Sequence, residues 1–334
     1  MRLLVLGGTH HVGRAYVETA LGLGHQVTTV NRGSHPPAAG VEARTADRRE
    51  PGSLARALGA DSWDAVLDTW SFEPVVVRDS ARLLADRVGH YGYVSSRSVY
   101  SWPIPSGADE SAELVDADPG STGSDDYAAA KRGAELAVLE SFGDRALLAR
   151  AGLILGPYEV VGRLPWWLGR IARGGRVPAP GPRTRPLQYV DARDLSDWMI
   201  RAADSGTTGT FNAVSAPGHS TIGELLGECL SATGADAELV WLTPEQVADA
   251  GVEGWTELPI WAPPTGEVAA LHDGNTAAAR AAGLTCRPVA QTVADTWAWL
   301  QAEGFPQRPS NRAGPIGTTA DQEAALLSQI EGRA

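Results

Sequence analysis

The sequence predicts an α/β protein with a parallel sheet covered by helices on both faces. Three observations predict it. Short apolar, β-rich runs alternate with helical stretches at the spacing of a βαβ series. The first run, residues 2–6 (RLLVL), is apolar without alternation, as in a strand buried on both sides. It leads into a glycine-rich turn, Gly7 to Gly13, set directly before a helical stretch.

The elements follow in order. A helix is expected over 12–23, stopped by Gly24, then a β-rich strand over 26–30 ending at Asn31-Arg32-Gly33. A weaker strand over 41–46, a helix from 53 to 58, a strand over 65–67 and a helix over 74–84 come next. A fifth strand is expected over 91–95, a polar loop over 106–124, a helix over 127–139 and a sixth strand over 146–151. After Gly156-Pro157 aromatic, Gly and Pro residues crowd the chain. Further expectations are a strand over 187–190, a helix over 194–203 and broken helical pieces over 215–305. A linker-like loop over 305–319 leads into an amphipathic helix over 319–330.

Composition excludes several classes. The 334 residues, 43% hydrophobic and 20% charged, describe an ordinary globular chain of roughly two domains. A net charge of −12 argues against a nucleic-acid partner, which needs a basic surface. Two cysteines, Cys229 and Cys286, give neither a disulfide scaffold nor a cysteine-rich zinc site. No apolar run approaches ~18 residues, so no membrane partner is expected. The N-terminus reads as a first strand rather than a leader, which points to the cytoplasm.

The Gly7 to Gly13 turn has the chemistry of a phosphate cradle. A helix N-terminus presents unpaired N–H groups and partial positive charge, and glycine lets backbone approach a pyrophosphate. An acidic residue closing the second strand would hold the ribose of NAD; here Asn31-Arg32 stands there. Arginine suits a 2′-phosphate, so NADP(H) is favoured over NAD(H). Asp47-Arg48, after the third strand, is placed to flank the adenine or to form a surface turn.

Tyr127 and Lys131 lie at i and i+4 on one helix, and Ser96 ends the fifth strand. A phenol with a pKa of about 10 is a poor acid–base catalyst near neutrality, and a nearby ammonium lowers that value. A serine hydroxyl can hold a substrate oxygen in line. Of 28 basic residues 27 are arginine, and Lys131 is the single lysine. A planar guanidinium does not replace a compact ammonium in that role.

On these residues the chain resembles an extended short-chain dehydrogenase/reductase of the NAD(P)-dependent epimerase/dehydratase group, over roughly residues 1–305. The motifs are the Gly7 to Gly13 loop, Ser96 with Val99-Tyr100, Tyr127-x-x-x-Lys131, and Arg150 with Gly156-Pro157. The resemblance implies a Rossmann-type, doubly wound seven-stranded parallel sheet, order 3-2-1-4-5-6-7, with a smaller C-terminal substrate domain. The expected division is 1–157 with 187–214 for the nucleotide, 158–186 with 215–305 for the substrate, and 306–334 as linker and helix. It implies Tyr127 as acid/base, Lys131 on the nicotinamide ribose and Ser96 on the substrate oxygen. Candidate cofactor contacts are Gly7, Thr9, His10, Val12, Gly13, Asn31, Arg32, Asp47, Arg48, Asp68, Lys131 and Arg150. Relatives are often homodimers.

Three departures narrow the function. The middle glycine of the family's Gly-x-x-Gly-x-x-Gly is His10. The acidic pair of sugar-nucleotide dehydratases is replaced by Arg97-Ser98, which counts against dehydration. Leu187 stands where many relatives carry a diphosphate-reading arginine ahead of the seventh strand, with Arg185 two residues earlier. Candidate substrate contacts are Trp70, Phe72, Trp166, Trp167 and Arg185, whose aromatics suit an apolar or ring-bearing molecule. His219 and His272 lack a ligand-spaced partner and read as surface residues, so no metal is expected. The expectation is an NADPH-dependent reductase of a small carbonyl-type substrate. The alternatives are an epimerase of a sugar or sugar nucleotide and a non-catalytic RNA-binding relative.

Overall fold

The computed structural model describes residues 1–305 and 316–331, so most of the expected linker lies outside the described residues. The chain begins β1 (Arg2–Leu6), α1 (His11–Gly22), β2 (Gln26–Asn31), β3 (Glu42–Thr45), α2 (Ser53–Leu58), β4 (Trp63–Asp68), α3 (Pro74–Leu84), β5 (Val88–Ser96), α4 (Tyr127–Phe142) and β6 (Ala146–Ala151). It continues β7 (Leu153–Leu155), α5 (Arg163–Ala172), β8 (Gly175–Pro180), β9 (Pro186–Leu187), β10 (Tyr189–Asp191), α6 (Ala192–Ser205), β11 (Gly209–Ala213), β12 (Ser220–Thr221) and α7 (Ile222–Thr233). Last come β13 (Ala237–Leu242), α8 (Pro244–Asp249), β14 (Gly254–Trp255), β15 (Leu258–Pro259), α9 (Ala277–Ala281), α10 (Val289–Glu303) and α11 (Ala320–Glu331).

Seven parallel strands form the main sheet in the order β11-β6-β5-β4-β1-β2-β3. The side chains of β1 explain its two-sided cover. Leu3 and Val5 join the cluster under α1 and α6, while Leu4 and Leu6 join the one under α3 and α4. A period of two on a sheet buried on both faces demands apolar residues at every position. Chain order reverses between β1 and β4, which opens a crevice at their C-terminal ends.

The seventh strand differs from the expectation. It is β11, whose short GTFNA segment carries little apolar signal and pairs with β6 alone. The expected strand over 187–190 is broken at Gln188 into β9, paired with β12, and β10, paired with β7. Buried Gln188 supplies the reason. Its side chain donates to the Ser215 and Gly274 carbonyls at 2.9 Å each and accepts the Gly274 N–H at 2.7 Å. Helix α6 starts two residues before the expected helix because Asp191 caps it.

A third apolar cluster is built from later residues, with α5, α7, α10 and α11 around the β8–β13 pair. Helix α7 opens on a reciprocal cap between Thr221 and Glu224. Helix α11 is tied on by buried Leu326 and by Glu323, 2.8 Å from the buried Arg170 guanidinium. Trp167 is at the centre, 0% exposed, its indole N–H donating to the Pro259 carbonyl at 2.8 Å. At the start of α5 the buried Glu159 carboxylate accepts the backbone N–H of Arg163 at 2.7 Å and of Leu164 at 3.2 Å.

Two predictions follow from this packing. Trp167→Ala removes a wholly enclosed side chain and is expected to cost ~3–5 kcal/mol, read from urea unfolding midpoints. Burial pushes the Glu159 carboxyl from 4.5 up to about 7, against the opposing backbone hydrogen bonds. Between those values the native state keeps a proton that the unfolded chain has lost, so this group's contribution to stability falls as pH rises. The stability of the wild type relative to Glu159→Gln should therefore drop by up to about 3 kcal/mol between pH 4.5 and 7. A flat difference across that window refutes the assignment.

Candidate active site

Three pieces converge at the C-terminal edge of the sheet: the β1–α1 turn, the ends of β4 and β5, and the N-terminus of α4. Asp126 caps α4 by accepting the Ala129 N–H at 3.0 Å. Tyr127, Lys131 and Glu135 then share one helical face at successive intervals of four. Gly133 lets this helix approach α3 closely. A Cβ there would lie 2.7 Å from the Asp118 carbonyl and 2.8 Å from Pro74.

Lys131 is 3% exposed. Its Nζ donates to the Trp70 carbonyl at 2.8 Å and the Val94 carbonyl at 2.7 Å, and lies 4.7 Å from the centre of the Tyr93 ring. Tyr93 donates its hydroxyl to the same Trp70 carbonyl at 2.8 Å, and burial holds its phenol in the neutral form by raising its pKa well above the ordinary value. The ammonium is thus solvated by backbone dipoles and an aromatic face rather than by water. Tyr127, one turn earlier, is 40% exposed. Ser96 closes β5, its Oγ accepting the Ser98 N–H and bonded to the Ser98 hydroxyl, both at 3.1 Å.

The β1–α1 turn has the shape of a phosphate cradle. Gly7 and Gly8 take φ values of +128° and +105°, which a side chain rarely tolerates. A Cβ on Gly13 would sit 2.7 Å from the Gly8 nitrogen, so glycine alone lets α1 close onto the turn. No side chain caps the first turn of α1. Thr9 and Val12 belong to this turn and to the helix start. A nicotinamide dinucleotide fits this donor set, with its pyrophosphate at the uncapped N–H groups. His10 is exposed and meets His35 edge-on at 4.4 Å. Its pKa is lowered by partial burial, then by the charges of His35, Arg14 and Arg32. Asn31 accepts the Gly33 N–H at 2.9 Å, and Arg32 is exposed beside it. His11, which sequence reasoning passed over, begins α1 at φ 34° with a buried, unpartnered Nε2, and burial pushes its pKa down to about 4.

Other candidate contacts turn inward. Arg48 and Asp68 bind each other through two bonds of 2.8 and 2.6 Å. Asp68 also accepts the Tyr91 hydroxyl at 2.7 Å and the Trp70 N–H at 2.9 Å. Burial opposes ionisation of Asp68, yet the Arg48 charge outweighs it and holds the carboxyl below its ordinary value. Arg150 binds buried Glu135 through two bonds of 2.9 and 3.0 Å, and Ser95 and Arg132 also bind that carboxylate. These arginines brace the site from behind. Asp47 accepts the Arg49 N–H at 2.9 Å in a local turn. The sequence signal for Glu135 is its spacing of four from Lys131 and eight from Tyr127 on α4.

The substrate candidates divide. Trp70 is brought to Lys131, with Phe72 edge-on at 5.5 Å and the Arg48 and Arg49 guanidinium groups 5.2 and 5.1 Å from its ring. Trp167 is core, and Trp166 is pressed against Gly317, where a Cβ would fall 1.8 Å from the indole nitrogen. Arg185 turns to the carbonyls of Ala262, Pro263 and Ala269 at 3.1, 3.0 and 2.7 Å. His272 is a correction to the surface reading. It is buried, with Nε2 2.8 Å from the Ile260 carbonyl.

No curated protein sequence matches the chain. Solved structures do match in fold. The Bordetella bronchiseptica enzyme WbmH in complex with NAD+ shares 17% identity and a TM-score of 0.67, over 91% of this chain and 99% of that one. UDP-glucose 4-epimerase from Thermotoga maritima shares 16% identity and a TM-score of 0.63, over 90% and 99%. UDP-N-acetylglucosamine 4-epimerase from Bacillus cereus shares 15% identity and a TM-score of 0.63, again over 90% and 99%. None of the helices among the described residues is long and apolar enough to cross a membrane. The model of the NAD dependent epimerase/dehydratase family matches residues 3–213, well over half of the chain. With its cradle, its Tyr-x-x-x-Lys helix and its seven-stranded sheet, the chain belongs to the NAD-dependent epimerase/dehydratase family and is an enzyme of the NAD(P)-dependent short-chain dehydrogenase/reductase type.

Proposed function

We propose that this enzyme is an NADPH-dependent reductase of a small, apolar or ring-bearing carbonyl compound. The observation that carries the reading is the Lys131 ammonium, buried on two backbone carbonyls one helical turn from the exposed Tyr127 phenol. The bound dinucleotide supplies the hydride. The chain's own residues supply the rest. Ser96 holds the substrate oxygen by its hydroxyl. Tyr127 donates the proton that this oxygen takes up on reduction, and the Lys131 charge favours the phenolate left behind. Trp70 and Phe72 present an aromatic wall beside the ammonium and exclude water.

Preference for NADPH is supported by the charge around the end of β2. Arg32 is exposed there and its charge reaches His10, whereas Arg14 nearby is paired with Glu18 and Glu303. A 2′-phosphate finds charge-assisted donors in the Arg32 guanidinium. The epimerase reading is supported by the family's name and requires a retained dinucleotide. Tightly co-purifying NAD, with no exchange against NADPH, would decide for it.

The test is oxidation of NADPH by the purified enzyme with a panel of aryl aldehydes and ketones. Lys131→Arg keeps the charge but is too large and planar for the two-carbonyl seat; activity should fall by roughly 10²-fold or more. Near-normal turnover refutes the lysine's role. Arg32→Ala should narrow the ratio of kcat/KM for NADPH over NADH by about tenfold, the effect of ~1.4 kcal/mol. An unchanged ratio means that the phosphate is read elsewhere.

A further inference from the structure

Ser96 ends β5 and caps the short turn Arg97–Val99, which packs against α4. Two residues earlier the Val94 carbonyl receives the Lys131 ammonium at 2.7 Å, so Ser96 follows that contact by roughly 7 Å of strand. Exposure varies along this segment. Ser95, Arg97, Val99 and Tyr100 are buried, whereas Ser96 and Ser98 are partly exposed. The buried hydroxyls have acceptors inside the protein. Ser95 donates to Glu135 and Tyr100 to Asn212, both at 2.7 Å.

Two bonds join the two partly exposed serines. The Ser98 N–H donates to Ser96 Oγ at 3.1 Å, and the Ser96 hydroxyl donates to Ser98 Oγ, also at 3.1 Å. A serine hydroxyl carries a single proton, so that of Ser96 is engaged within the pair. The Ser98 hydroxyl proton has no acceptor among the described residues. The bonds run in one direction, from the Ser98 amide to Ser96 and from Ser96 to the Ser98 hydroxyl. Each donor in such a chain polarises the next, and Ser98 stands at its open end.

We propose that Ser98 is a second catalytic hydroxyl, donating a hydrogen bond to the substrate oxygen held by Ser96. The proposal rests on the reductase reading for that oxygen. Two Oγ atoms 3.1 Å apart leave a position about 2.8 Å from both, an ordinary length for O–H···O bonds. An oxygen seated there takes the Ser98 proton directly, and the Ser96 proton turns to it from Ser98. Negative charge grows on this oxygen as hydride reaches the carbonyl carbon. Two fixed donors stabilise that charge more than they stabilise the neutral carbonyl. Neither serine gives up its proton; the proton taken up is that of Tyr127. Loss of the second donor therefore acts on kcat more than on KM.

The experiment compares the wild type with Ser98→Ala and Ser98→Thr. The alanine keeps the backbone bond to Ser96 and removes only the hydroxyl, and the threonine restores it. The probe is para-dimethylaminobenzaldehyde, whose absorption band moves to longer wavelength as its carbonyl oxygen accepts hydrogen bonds. Bound to the NADP⁺-loaded enzyme, its band should lie at longer wavelength in the wild type and Ser98→Thr than in Ser98→Ala. With NADPH and the panel of aryl aldehydes and ketones, kcat should fall at least tenfold in Ser98→Ala while KM changes less than threefold. Identical bands in the wild type and Ser98→Ala overturn the proposal, as does an alanine variant that keeps the wild-type kcat. If the alanine variant fails to fold, Ser98→Val against Ser98→Thr, alike in shape and different in the hydroxyl, gives the same comparison. A band that depends on the Ser98 hydroxyl without turnover of any panel compound removes the reductase and leaves the second donor. Turnover with identical bands removes the second donor alone.

Discussion

An ammonium with almost no access to water is the constraint around which the site is arranged. Lys131 reaches from α4 to carbonyls that follow β4 and lie within β5, so one side chain ties a helix to two adjacent strands. Burying a charge without compensation is costly, and each donated bond must therefore find an acceptor. Backbone carbonyls meet that need without cancelling the charge. The Tyr93 ring adds a further attractive face, and its own phenol is kept neutral by burial.

Behind this ammonium stand ion pairs that do cancel. Arg48 with Asp68, and Arg150 with Glu135, are almost wholly enclosed and bidentate. Such pairs add little net stability, but breaking one is severe, and their geometry is demanding. They tie the ends of β4, β5 and β6 to one another and to α4. Arg97 departs from this arrangement, for its guanidinium meets the Leu271 carbonyl and no carboxylate among the described residues.

Much of the molecule was readable beforehand. The alternation of apolar runs and helical stretches identified β1, β2, β6 and α3 to within a residue, because buried parallel strands and amphipathic helices leave periodic marks. The glycine turn and the Tyr127–Lys131 spacing were legible because their chemistry is local. Strand β11 was not, since its one large apolar residue, Phe211, sets no alternation and the segment gains strand character only from pairing with β6. Nor was the break at Gln188, which depends on partners at Ser215 and Gly274. The aromatic run in α5 was ambiguous for the same reason. Trp166 and Trp167 are adjacent in sequence, and packing alone sends one to the core and the other beneath Gly317.

By itself the sequence determined the sheet-and-helix alternation, the glycine-rich turn after β1, and the placement of a lone lysine one turn from a tyrosine. Those properties follow from residues close in the chain. Tertiary structure decided which charges pair with each other and which meet only backbone carbonyls. Arg48, Arg150 and Arg97 look alike as letters, yet the first two are neutralised by carboxylates brought from other strands and helices, and the third is not. The reason is that an ion pair falls off over a few ångströms, and only the folded chain sets those distances.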